Sequence, residues 1–364
     1  MPAVTFIPPD FFATREEWVL WLLAAGAIVL LAVGADRAVT AAVRLAAVLG
    51  MSKVIIGATV VSLGTTTPEC FTSVTAALSG NPGLALGNGI GSIICDTALI
   101  FGLCACIQRL PLDRFILNRH GWLQLGSGAL LVVLVFALAV HALGIGGLLG
   151  VLRGARIEGV VIPRWAGAGL LVLLAGYLFL SVRWARQHPQ VALAEVNAVA
   201  KVARAGEGAL ARALGNLLLL AFGLALVIAG SNVMVGSSVE LCRRYGVPES
   251  VLAATLVAFG TSLPELVTAL ASVIKRHPEL MIGNIIGADI LNVLFVVGAS
   301  AAAEPLAVDR ATLVLLLPVM LLVLVLMRLF ILLSGRRFRR WQGALLLGIY
   351  VAYVAALVRW GASL

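Results

Sequence analysis

Two carboxylates carry the strongest chemical signal in this sequence. Glu69 closes the stretch Gly64-Thr65-Thr66-Thr67-Pro68-Glu69, and Glu265 closes Gly260-Thr261-Ser262-Leu263-Pro264-Glu265, 196 residues further on. Each lies in an otherwise apolar run, and an ionisable residue at membrane depth is costly enough to mark a functional site by default. The proline before each Glu adds a second signal. It has no amide hydrogen and clashes with the preceding turn, so carbonyls near Thr65 and Thr261 are released from the helix ladder. Carbonyls released inside a bilayer must find other partners. Carboxylate, hydroxyl and carbonyl oxygens together are the ligand set of a hard cation such as Ca2+ or Na+. Two like carboxylates without matching basic residues make a poor structural pair, because nothing offsets their desolvation.

The similarity extends beyond the two hexapeptides. At a constant offset of 196 and without a gap, residues 57–102 match 253–298 at 16 of 46 positions, and Gly34 maps onto Gly230. The shared residues include Thr65/Thr261, Pro68/Pro264, Glu69/Glu265, Pro82/Pro278, Gly87-Asn88/Gly283-Asn284 and Gly91/Gly287. Chance likeness of two apolar helices would instead give scattered Leu, Val and Ala, so the chain is an internal duplication. Asn88, Ser92 and Asp96 are spaced by four and share one helix face; their equivalents are Asn284, Ala288 and Asn292. Glycines 87, 91, 283 and 287 permit close approach to the Pro-Glu helices. Four helices around one pocket holding Glu69, Glu265 and Asp96 are therefore expected. Asp289, about 60° round the helix from Asn292, is expected at the pocket's edge. Thr72, Ser73, Thr75 and Thr268 read as structural hydroxyls, since Ser and Thr in membrane helices usually bond the preceding turn. Asn88 and Asn284 are as suited to tying helices together as to touching an ion.

The elements that must position these groups are membrane helices. The chain is 61% hydrophobic and 12% charged, with a mean hydropathy of +1.08, which excludes a soluble domain. Apolar runs fall near residues 19–47, 51–78, 82–107 and 122–149, with a fifth ending near 182. Five more lie near 213–241, 248–274, 279–302, 311–334 and 342–362. The fold class is thus an all-α polytopic membrane protein of ten transmembrane helices. Five per repeat, an odd number, sets the halves in inverted topology, the design of secondary transporters with a site near the midplane. The repeats are predicted over 1–182 and 213–364, joined by a polar connector at 183–212.

The net charge of +9 does not point to nucleic acid, because the basic residues sit between apolar runs. The loops on the connector's side carry sixteen Lys/Arg and the opposite side, termini included, carries eight. By the positive-inside rule 183–212 is cytoplasmic and both termini are not. Asp36 and Arg37, adjacent in the first run, are expected to snorkel or pair locally. The five cysteines lie in or beside apolar runs and give no disulfide framework. No cleavable signal peptide is expected, and no cofactor or obligatory protein partner is implied beyond membrane lipid.

The paired G-T-[TS]-x-P-E and G-N-x-x-G-[SA] blocks resemble the α-1 and α-2 repeats of the cation/Ca2+ exchanger superfamily, in particular prokaryotic Na+/Ca2+ exchangers. The proton-coupled branch typically carries G-N-x-x-E instead, which this sequence lacks. The resemblance implies that Glu69 and Glu265 ligate Ca2+ and Na+ directly. It assigns backbone carbonyls at Ser62, Thr65, Ala258 and Thr261, and hydroxyls at Thr66, Ser92 and Ser262. Asp96 and Asn292 take the central positions of the third and eighth spans, where relatives often have Asn and then Asp or Asn. Ala288 replaces a usual Ser, and Asp289 a usual Asn. The implied activity is transport and not enzymatic catalysis: an antiporter of the inner membrane using Na+ to extrude Ca2+ through one shared site. Proton- or K+-coupled divalent exchange through the same pocket is the alternative. An intramembrane hydrolase lacks a visible nucleophile–base pair or zinc set, and the two-fold repeat around buried carboxylates favours an alternating site over an open channel.

Overall fold

The computed structural model describes residues 7–49, 51–111, 114–155, 157, 159–187, 209–245, 258–334 and 337–360. The first half contains helices Glu17–Leu49, Lys53–Leu78, Pro82–Ile107, Asn118–Val151 and Arg164–Ala185. The second contains Ala211–Leu241, Leu263–Ile274, Pro278–Ala303, Thr312–Leu333 and Arg340–Arg359. Numbered in chain order, these are spans 1–10. All but span 7 are long and apolar enough to cross a membrane, and span 7 is preceded by a short helix, Ala258–Thr261. The predicted start of span 7 and most of the predicted 183–212 connector lie outside the described residues. One two-stranded antiparallel pair, Val161–Ile162 with Leu306–Ala307, joins the loop after span 4 to the loop after span 8.

The duplication is visible in backbone geometry. Spans 3 and 8 both begin with a proline in the first helical position, where its missing amide costs nothing. The residues before them have matching dihedrals, φ −117 and ψ 57 at Asn81 against φ −118 and ψ 54 at His277. Spans 1 and 6 pack along each other through small residues. A Cβ at Gly34 would lie 2.8 Å from the Gly223 carbonyl oxygen, and one at Gly230 would lie 3.1 Å from that of Ala27. Gly223 and Ala27 are themselves related by the offset of 196, so the contact obeys the internal two-fold.

Spans 2, 3, 7 and 8 form the centre, and span 8 is enclosed almost throughout. Its glycines bring it into backbone contact with span 2: a Cβ at Gly283 would collide with the Val54 carbonyl, and one at Gly287 with Ala58 and the Ser62 hydroxyl. Residues 250–254, which the offset places opposite Gly87 and Gly91, lie outside the described residues. Large apolar side chains face outward along the peripheral spans, among them Trp21, Ile28, Val172, Phe179, Leu218 and Phe222. Such a continuous apolar exterior is compatible with lipid and not with water. The one basic residue inside span 9, Arg328, donates to Asn118 Oδ1 at 3.1 Å and stacks over the Trp122 ring.

Candidate functional site

The two Pro-Glu motifs and the two Asn-bearing helices meet at the centre. Glu69 lies in the helix Ser62–Leu78 and Glu265 in Leu263–Ile274. Asp96 falls in a π-helical segment, Cys95–Phe101, and Asn292 opens another, Asn292–Val297. The extra residue per turn in a π segment shifts the register of side chains and is a frequent companion of functional sites. Its recurrence at equivalent places in both repeats puts Asp96 and Asn292 on facing helices, with Asn292 Nδ2 3.5 Å from Asp96 Oδ2. Glu69 lies within electrostatic reach of Glu265 and Asp96. Glu69, Glu265, Asp96 and Asn292 are each only 1% exposed.

The atoms left over at this centre are all oxygens. Glu69 Oε2, Glu265 Oε2, Asp96 Oδ1, Asn292 Oδ1, Ser92 Oγ and Ser262 Oγ are buried without a hydrogen-bond partner. Ser262 lies beside Asp96 and Cys95. None of the ion pairs among the described residues involves these carboxylates. Buried oxygens in such number, with no cationic side chain paired to them among the described residues, fit a bound hard cation. No three His, Cys, Asp or Glu side chains among the described residues converge closely enough to hold a metal ion alone. Amide, hydroxyl and backbone oxygens would have to complete the shell.

The remaining predicted residues divide between this centre and its frame. Thr66 Oγ1 donates to Glu265 Oε1 at 3.4 Å, linking one motif to the carboxylate of the other. Thr65 Oγ1 lies within 3.3 Å of the Val61 and Ser62 carbonyls and 3.4 Å from Asn284 Oδ1. Its equivalent, Thr261 Oγ1, donates to Asn88 Oδ1 at 3.2 Å. Each motif threonine therefore bonds the asparagine of the opposite repeat, and the Asn side chains do tie helices together. Ser62 Oγ donates to Thr59 O, and the Ser62 carbonyl is already within reach of the Thr65 hydroxyl. Ala258 begins the short helix before Ser262. Thr268 bonds the Pro264 and Glu265 carbonyls, a structural role as read from sequence.

Two features were undervalued in the sequence. Asp289 is 1% exposed, and its Oδ2 accepts from both Thr97 Oγ1 of span 3 and Gln124 Nε2 of span 4. Through Oδ2 it fastens three helices behind Asp96, while its Oδ1 is buried without a hydrogen-bond partner. An Asp and a Gln in apolar runs were the available signal, but their meeting is a tertiary fact. The second feature is Tyr177 of span 5, whose buried hydroxyl donates to the Ala58 carbonyl at 2.8 Å. Ala58 lies in a π-helical turn, Gly57–Val61, that leads into the first motif.

Inverted five-helix repeats enclosing buried, unpaired acidic side chains define a secondary cation transporter. The chain belongs to the sodium/calcium exchanger protein family, whose model matches residues 19–183 and 215–359. It is 29% identical over 344 residues to the sodium/calcium exchanger MaX1 of Methanosarcina acetivorans, covering 91% of this chain and 96% of that one. It is 32% identical over 336 residues to the inner membrane protein YrbG of Escherichia coli, covering 91% and 94%. The fold is similar to the solved sodium-calcium exchanger NCX_Mj, with a TM-score of 0.72, 26% identity and coverage of 94% of this chain and 100% of that one.

Proposed function

We propose that this protein exchanges Na+ for Ca2+ across the membrane, both ions competing for one central pocket. The observation that carries the reading is the set of six buried, unpartnered oxygens on Glu69, Glu265, Asp96, Asn292, Ser92 and Ser262. Glu69 and Glu265 balance the charge of the ion, and Asp96 supplies a third carboxylate on one side. Thr66 and the carbonyls of Ser62, Thr65, Ala258 and Thr261 complete the shell as the ion loses water. Coupling follows from competition: the carboxylates neutralise one Ca2+ or several Na+, and an empty cluster of like charges crosses unfavourably. Spans 1 and 6, packed on each other through glycine and alanine, are the natural unit to slide past the centre.

In this reading residues 1–182 and 213–364 are the two functional repeats, and 183–212 is a cytoplasmic connector in a prokaryotic inner membrane. Both termini face the other side. Uptake of 45Ca2+ into proteoliposomes, driven by outward Na+, K+ or H+ gradients in parallel, tests the function. Uptake driven by Na+ alone is expected; uptake that follows only K+ or H+ would replace the driving ion. A single cysteine at Ala198 should resist an impermeant reagent in intact cells, and its labelling would overturn the orientation.

A further inference from the structure

Lys275 fastens span 1 to the turn between spans 7 and 8. Its ammonium nitrogen lies 2.6 Å from Asp36 Oδ1, 2.8 Å from the Asp36 carbonyl oxygen and 2.5 Å from Thr40 Oγ1. All three of its hydrogens therefore find acceptors on one turn of span 1. Asp36 thus pairs across helices with Lys275, which the local reading with Arg37 did not anticipate.

The internal repeat shows what is unusual here. At the offset of 196, Asp36 corresponds to Asn232, Thr40 to Gly236 and Lys275 to Ser79. None of the three counterparts carries a charge. The backbone at the two turns is nevertheless the same. Asn81 N–H bonds the Ala76 carbonyl at 2.9 Å and His277 N–H bonds the Ser272 carbonyl at 2.8 Å. Gly80 has φ +80, and Arg276 takes φ +62 in its place, a conformation that non-glycine residues rarely adopt. The turn is conserved between repeats while its charge is not. The contact between spans 1 and 6, by contrast, is built on equivalent residues in both directions.

We propose that Lys275 and Asp36 form a latch present at one end of the transporter only, and that this latch makes the two faces bind Ca2+ with unequal apparent affinity. The proposal rests on the exchange reading, with spans 1 and 6 as the moving unit. If they slide, the contact between Asp36 and the span 7–8 turn breaks, and the equivalent residues at the opposite end, Asn232 and Ser79, carry no charges to re-form it. The latched state is favoured by the strength of the pair. Each face sees only the fraction of molecules open to it, so the ratio of half-saturating Ca2+ concentrations at the two faces follows the equilibrium between states. The side chains of Lys275 and Asp36 are 28% and 54% exposed, so the pair shifts this ratio by roughly two- to fivefold, the range of partly exposed ion pairs.

The test is Na+-dependent 45Ca2+ flux in right-side-out and inside-out vesicles, with the half-saturating Ca2+ measured at each face. Lys275→Met and Asp36→Asn should move the ratio by the same factor in the same direction, weakening one face and strengthening the other. The charge exchange, Asp36→Lys with Lys275→Asp, should restore it. Ser79→Lys with Asn232→Asp, placed in Lys275→Met, should move the ratio further in the direction already taken, because it builds the latch at the other end. A loss of packing alone would lower flux or yield at both faces without this reciprocity. An unmoved ratio in both single variants, with normal exchange, overturns the latch and leaves the exchange reading intact. Absence of Na+-dependent flux in the unaltered protein overturns the exchange reading instead. The latch is then read from impermeant-reagent labelling of a single cysteine at Thr66 from each side, whose ratio Lys275→Met must still shift; an unchanged ratio there overturns it.

Discussion

The two Pro-Glu helices share a motif but not a conformation. The first runs unbroken from Ser62 to Leu78 with Pro68 inside it. The second stops at Thr261, turns at Ser262 with φ −87 and ψ 8, and resumes at Leu263. Their hydroxyls differ as well. Thr67 Oγ1 donates to the Leu63 carbonyl, and Thr65 lies near those of Val61 and Ser62, so carbonyls of the turn before the proline meet hydroxyls of the same helix. Position 263, equivalent to Thr67, is Leu and has no hydroxyl to offer. One copy stays helical through its proline, while the other turns at Ser262, beside Asp96. A duplicated site can thus keep its carboxylates equivalent while its backbone is not.

The hardest test of that equivalence is to remove each carboxylate. Glu69→Gln and Glu265→Gln should each reduce Ca2+ flux by roughly a hundredfold or more, because losing one partner of a buried ionic contact costs about 3–5 kcal/mol. Folded yield should be retained, and near-normal flux in either variant would break the symmetry of the pocket. A smaller effect is expected at the unmatched pair. Asp96→Asn should raise the half-saturating Ca2+ concentration by roughly tenfold, the loss of one charge near a divalent ion. Asp96→Asn with Asn292→Asp should recover most of it. Failure to recover would mean that the two positions do not face one ion.

The frame behind Asp96 has no symmetric counterpart, since Ile93 stands where the second repeat has Asp289. Asp289→Leu strands Thr97 and Gln124 and should lower stability by about 1–3 kcal/mol. Asp289→Asn, which keeps an acceptor, should lower it less, and thermal unfolding in detergent separates the two. The least effect is expected where a hydroxyl is restored. Leu263→Thr gives the Phe259 carbonyl a donor and should slow hydrogen exchange over 258–266 by roughly two- to tenfold, the worth of one net hydrogen bond. Unchanged exchange would mean that the turn at Ser262 has another cause.

Much of the site was legible because membrane burial makes polar residues conspicuous. Glu69, Glu265 and Asp96 stand out against apolar runs, and the offset of 196 alone pairs Asp96 with Asn292. The ten spans follow from hydropathy, since lipid admits few other solutions for the backbone. The reciprocal bonds from Thr65 to Asn284 and from Thr261 to Asn88 could not be read this way. Composition and spacing describe one helix at a time, and these bonds depend on how two repeats dock. The same holds for Asp289, which the sequence set at an edge and packing set between Thr97 and Gln124, and for Lys275, whose partner is 239 residues away. Sequence determined which side chains must escape lipid, because that cost belongs to each residue. Tertiary structure decided which of them escape together, because that depends on the close approach that Gly57, Gly283 and Gly287 allow between helices.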